Sequence, residues 1–69
     1  MSEVTISVNG RRTGVDEDTS VAAVVAGLTA ASQGIAVALN GEVVPRGAWA
    51  GTRVRDGDVV EIVTAVQGG

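Results

Sequence analysis

Two Asn-Gly dipeptides, Asn9-Gly10 and Asn40-Gly41, constrain this 69-residue chain more than any other feature. Each follows a stretch in which aliphatic residues alternate with small or polar ones: Val4, Ile6 and Val8 before the first, Ile35, Val37 and Leu39 before the second. Alternation at period two marks a strand with one buried face, and Asn-Gly accepts the positive φ that both central positions of a tight hairpin turn demand. Two hairpins are therefore predicted. In the first, residues 11–15 return antiparallel, weakened at Gly14, a position that favours a bulge. In the second, residues 42–44 return as far as Pro45, which has no N–H to give to a ladder.

Between the hairpins the period changes. Val21, Val24, Val25 and Leu28 stand at i, i+3, i+4 and i+7, placing four aliphatic side chains on one stripe of a short helix. Ser20 is the expected N-cap, with Thr19 a close competitor, and residues 29–34 are expected to form a loop. Further on, residues 47–52 read as an irregular crossing, Asp56-Gly57-Asp58 as a turn, and residues 59–63 as the last strong strand. Glu61 belongs in water, so Val60 and Ile62 take the buried face of that strand. The expectation is one α+β domain over residues 1–64, a mixed sheet wrapped on one helix, followed by a flexible tail over residues 65–69. A parallel pair between the first and last strands follows naturally, since both are apolar enough for the sheet centre.

Composition removes whole classes of chemistry. The chain has no Cys and no His, which excludes a thiol nucleophile, an imidazole base, a disulfide, an iron–sulfur cluster and a zinc site of the usual kind. Five arginines, no lysine and a net charge of −3 are the wrong balance for a nucleic-acid binder, and no basic stripe is visible. The longest apolar run, residues 21–28, is far too short for a membrane span, and the N-terminus lacks signal architecture. A soluble, cytoplasmic protein with neither nucleic-acid nor membrane partners is expected. Valine and alanine, 14 and 10 residues, supply most of the apolar content, so the core must be aliphatic. At about 0.05 to 0.15 kcal/mol per residue, net stability should be about 3 to 10 kcal/mol, which leaves little for strained catalytic geometry.

The chemistry-bearing feature is then main-chain. The sequence ends Ala65-Val66-Gln67-Gly68-Gly69, immediately after a strand. Glycine is common in flexible ends, but two glycines in the final positions put the α-carboxylate of Gly69 on a backbone with no Cβ to obstruct entry into a narrow tunnel. A carboxylate becomes an acyl donor once adenylated, and a sulfur nucleophile then yields a thiocarboxylate. No catalytic side chain of the carrier is required. Val59 and Val63, on the face opposite Val60 and Ile62, form a candidate docking surface. Other groups read more simply. Asp16, Glu17 and Asp18 suit a helix N-terminus better than a metal, Asp56-Gly57-Asp58 suits a turn, and Trp49 suits packing over one end of the sheet. Arg46, Arg53 and Arg55 are read as surface charges, with guidance of an acidic partner as the alternative.

The stretch from Val37 through Asn40-Gly41, Val44-Pro45-Arg46, Trp49 and Asp56-Gly57-Asp58 to Val60-Glu61-Ile62-Val63 and Gly68-Gly69 resembles the sulfur carrier proteins of thiamine biosynthesis. The resemblance covers nearly the whole chain and is strongest from Ile35 onward. It implies a ubiquitin-like β-grasp fold and a carrier rather than an enzyme. It also implies that Gly69 is adenylated by an adenylyltransferase of the ubiquitin-activating type, converted to a thiocarboxylate with a donor such as a cysteine desulfurase, and presented to thiazole synthase. Residues 65–68 would then be the partner-binding tail. The chain would bind no cofactor; ATP and magnesium would be used by the adenylyltransferase. Three alternatives stay open at this point: a carrier for molybdopterin synthesis, a protein modifier joined through Gly69, and a binding module with an inert tail.

Overall fold

In a computed structural model, residues 2–28 and 34–64 are described. The elements follow the order β1 (Glu3–Val8), β2 (Arg11–Asp16), α1 (Val21–Leu28), β3 (Ile35–Leu39), β4 (Glu42–Val43), a 3-10 turn (Arg46–Ala48) and β5 (Val59–Thr64). The five strands form one mixed sheet in the order β2-β1-β5-β3-β4. β1 and β5 run parallel at its centre, and the other neighbours are antiparallel. This is the ubiquitin-like β-grasp arrangement, with the last strand inserted between the two hairpins.

Both hairpin turns form as the dipeptides demand. Asn9 and Asn40 have φ of 52° and 53°, and the glycines after them 83° and 85°, positive at both central positions of each turn. The expected bulge at Gly14 does not form. Pairing runs without interruption from Val8↔Arg11 to Glu3↔Asp16, with Gly14 opposite Thr5. The space a Cβ would need there is taken by the Glu3 carboxylate, 3.1 Å from the ideal Cβ position. β4 is one residue shorter than predicted. Val44 leaves the strand, although its N–H still reaches Val37 O at 2.8 Å.

The core consists of Ile6, Val8, Val21, Val24, Val25, Val37, Trp49, Val54 and Val60, with Ile62 packed partly against it. Alternation therefore reports burial correctly on β1 and β5. On the helix it overreaches by one position: Val21, Val24 and Val25 are buried, but Leu28, in the last turn, is 53% exposed. Val54 belongs to no long strand and is nevertheless fully buried. Its N–H donates to Thr19 O at 3.0 Å, beside a lone bridge between Ser20 and Arg53.

The first-turn N–H groups of a helix need partners from outside it. Here Val21 donates to Thr52 O at 2.8 Å, Ala22 to Trp49 O at 3.1 Å and Ala23 to Ser20 Oγ at 3.1 Å. Ser20 is thus the N-cap, and the segment predicted as an irregular crossing supplies two of the three acceptors. The acidic run takes no part. Asp16 ends β2, the first helical turn holds no acidic residue, and Asp18 lies 3.8 Å from Arg53 in an exposed pair of little energetic weight. The run thus lies just ahead of the helix N-terminus, outside its first turn. The predicted loop over residues 29–34 lies outside the described residues except for Gly34.

Candidate functional site

The site is built on β5. Hydrogen bonds reach this strand from both sides, and five of them involve the two hairpin-turn asparagines. Asn40 N donates to Val59 O at 2.7 Å while its side-chain Oδ1 accepts from Val59 N at 2.9 Å. Asn9 N donates to Val60 O at 2.9 Å; its Oδ1 accepts from Ile62 N at 2.8 Å and its Nδ2 donates to Ile62 O at 3.2 Å. The Asn9 amide therefore acts as one more strand residue after β1 has ended. Sequence reasoning assigned these asparagines to turns and missed the second use, because the partners lie up to 53 positions away.

The Asp56-Gly57-Asp58 turn sets where β5 begins. Gly57 has φ of 87°, a conformation natural to glycine. Asp58 N donates to Arg55 O at 3.0 Å, closing the turn. Asp58 Oδ2 accepts from Arg55 N at 2.7 Å, its Oδ1 accepts from Asn40 Nδ2 at 3.0 Å, and Asp56 Oδ1 accepts from Thr5 N at 2.8 Å. Both carboxylates are thereby committed to the chain's own donors, which supports the turn reading.

Side chains of β5 alternate between two faces. Val60 and Ile62 point to the helix, whereas Val59 and Val63 lie on the outer face at 44% and 60% exposure. Register extends this outer face across the sheet: Val63 stands opposite Ala36, Glu61 opposite Ala38, and Ala38 opposite Val43, which is 75% exposed. The result is an apolar stripe of Val43, Ala38, Ala36 and Val63, continuing to Val59, with Glu61 between the two β5 valines. Val43 and the alanines were not singled out from sequence. The signal was present, since a two-residue Asn-Gly loop fixes Ala38 opposite Val43.

Trp49 is buried, and its Nε1 donates to Val44 O at 2.9 Å, so it packs under the 3-10 turn as predicted. The three arginines do not converge on the stripe. Arg53 faces Asp18, Arg53 and Arg55 border a shallow depression with Glu17 and Thr52, and Arg46 begins the 3-10 turn. The predicted tail, Ala65, Val66, Gln67, Gly68 and Gly69, lies outside the described residues, as does the side chain of Thr64. What is described is the strand that leads to it: Thr64 pairs with Ile35 at the end of β5. Among the described residues no helix is long and apolar enough to cross a membrane.

These features define a ubiquitin-like β-grasp protein whose central strand displays an apolar outer stripe. The ThiS family model matches residues 3–69, and the chain belongs to the ThiS family. It is similar to the crystal structure of a thiamine biosynthesis protein (ThiS) from Geobacter metallireducens, with 38% identity, a TM-score of 0.81, and coverage of 96% of this chain and 100% of that one. It is also similar to an NMR solution structure of a thiamine biosynthesis protein from the same organism, with 38% identity, a TM-score of 0.75, and coverage of 96% and 88%. A comparison with curated proteins gave no match.

Proposed function

We propose that the chain is a sulfur carrier of thiamine biosynthesis, in which a β-grasp domain over residues 1–64 holds out a tail over residues 65–69. The Gly69 carboxylate attacks the α-phosphorus of ATP on a partner adenylyltransferase, releasing pyrophosphate and leaving an acyl adenylate. The terminal sulfur of a persulfide on a donor enzyme such as a cysteine desulfurase adds to the carbonyl carbon and AMP departs with the C–O bonding electrons; a thiol reductant then cleaves the S–S bond of the resulting acyl disulfide, leaving the thiocarboxylate and a disulfide on the donor side. Thiazole synthase then takes up the sulfur. ATP and magnesium belong to the adenylyltransferase, and the carrier contributes no catalytic side chain.

The observation that carries this reading is the family match through Gly69 on a chain whose β5 runs directly toward that end. The stripe of Val43, Val63 and Val59 supports docking on the sheet face that includes β5, the strand that precedes the tail in the sequence. The 38% identity to thiamine biosynthesis proteins over 96% of the chain supports thiazole formation over molybdopterin synthesis as the destination. Intact mass after incubation with the adenylyltransferase, ATP, magnesium and the sulfur donor tests it. Sulfur should replace one oxygen, and fragmentation should locate the change at Gly69 rather than at Met1, where oxidation adds nearly the same mass. An unchanged Gly69 would defeat the reading.

A further inference from the structure

Among the described residues β2 forms one edge of the sheet, with β1 as its sole neighbour. Glu17 N donates to Ser2 O at 3.0 Å, which fixes the parity of the strand: the backbone groups of Val15, Thr13 and Arg11 turn toward β1, and those of Arg12, Gly14 and Asp16 turn outward. Proteins usually blunt such an edge with proline, a bulge or like charges that repel a second strand. β2 has neither proline nor bulge, and its charges are arranged the other way. The segment reads Arg11-Arg12-Thr13-Gly14-Val15-Asp16-Glu17, basic at one end, acidic at the other, with glycine in the middle.

A two-fold axis through Gly14 makes this order self-complementary. Antiparallel pairing places Arg12 opposite the partner's Asp16, Arg11 opposite the partner's Glu17, and Thr13 opposite the partner's Val15. The Gly14 N–H and C=O groups meet their own copies as a hydrogen-bonded pair, and each Asp16 N–H meets the partner's Arg12 carbonyl. Facing opposite charges across a strand pair are favourable, whereas like charges are not. Within one chain the outer face of this edge carries a pair of like charges, since Glu3 stands directly opposite Asp16. The second copy brings Arg12 to that carboxylate pair. On the helix side, a groove of about 460 Å³ between α1 and β2, lined by Arg11, Thr13, Val15, Val24 and Leu28, opens along the same edge. It leaves room for the partner's Val15.

We infer that β2 is a homodimerisation edge, and that two copies of this chain join through it into a continuous ten-stranded antiparallel-edged sheet. The interface is isologous, as a two-fold requires. One strand pair per dimer is a small contact, so association is weak, with dissociation in the range of about 10 µM to 1 mM. The net charge of −3 on each copy does not prevent it near 0.15 M salt, because the Debye length of about 8 Å screens whole-molecule repulsion but not pairs in contact. β5 and its stripe lie beyond β1, so both remain accessible in the dimer.

Sedimentation equilibrium over increasing protein concentration tests this on the intact chain. The 6.9 kDa mass should double toward the millimolar end, and hydrogen exchange at Gly14 should slow in step. The double variant Arg11→Glu with Arg12→Glu and the double variant Asp16→Arg with Glu17→Arg should each stay monomeric, while an equimolar mixture should dimerise at least as well as the parent chain. Circular dichroism checks that each variant is folded. A parent chain that stays monomeric throughout overturns the inference. So does a dimer that survives in both variants, that is abolished by Val63→Asp instead, or that fails to return in the mixture.

Discussion

The Asn9 side chain grips both backbone groups of Ile62, accepting from its N–H at 2.8 Å and donating to its carbonyl at 3.2 Å. The parallel register between β1 and β5 ends at Val8↔Val60, so this amide carries the pairing two residues further along the strand that leads to the tail.

Asn9 therefore has two separable duties. Asn9→Gly keeps the positive φ but removes both side-chain hydrogen bonds, at an expected cost of about 1–2 kcal/mol. Asn9→Ala loses the bonds and also forces a Cβ into the left-handed region, adding about 1–2 kcal/mol. Urea unfolding should rank the variants parent, Gly, Ala. Equal stabilities for the two would mean that the backbone conformation is immaterial.

Trp49 is the only aromatic residue of the sequence and, among the described residues, one of nine core side chains. Trp49→Ala should cost about 3–5 kcal/mol, a large share of a total near 3–10 kcal/mol, and bring the domain close to its unfolding point at 25 °C. Trp49→Phe should be milder, about 1–3 kcal/mol, since it chiefly leaves Val44 O without its donor at 2.9 Å. Thermal melts followed by circular dichroism, which does not rely on the lost indole, would show the order.

Val63 is well exposed, so Val63→Asp should alter stability by no more than about 0.5 kcal/mol. If the stripe docks the adenylyltransferase, the same change should weaken that complex about tenfold or more, as loss of one apolar anchor does. Titration calorimetry beside a melting curve separates the two quantities. Unchanged affinity for both Val63→Asp and Val43→Asp would remove the stripe from the interface.

Gly69→Val should abolish adenylation while the melting temperature stays within about a degree or two, because glycine has no side chain whose loss the core could register. Pyrophosphate release measured with the partner enzyme gives the first quantity. A large melting shift would show that fold and tail are energetically linked.

Much of the architecture was readable in the sequence because its signals are local. Each Asn-Gly pair stands beside the strand it turns, the valines at helical spacing lie within eight residues, and Val60 and Ile62 follow from the cost of burying Glu61. What escaped was contact between distant segments. Nothing near Gly14 announces that Glu3 will lie over it, and nothing near Thr52 announces that its carbonyl will cap Val21. The pairing of Asp18 with Arg53 was hidden for the same reason. Of the candidate site, Val59 and Val63 were visible through alternation, but Val43 required the sheet register. The tail residues remained a matter of chemistry and family rather than of packing.

The parallel pairing of β1 with β5 joins nearly the first described residues to nearly the last. A chain emerging from the ribosome consequently lacks the middle of its sheet until β5 has been made, and no nascent fragment that stops short of β5 can complete the domain. For a carrier, that order means a truncated product would be left unable to fold as well as unable to react, and would be cleared by proteolysis instead of competing for the activating enzyme.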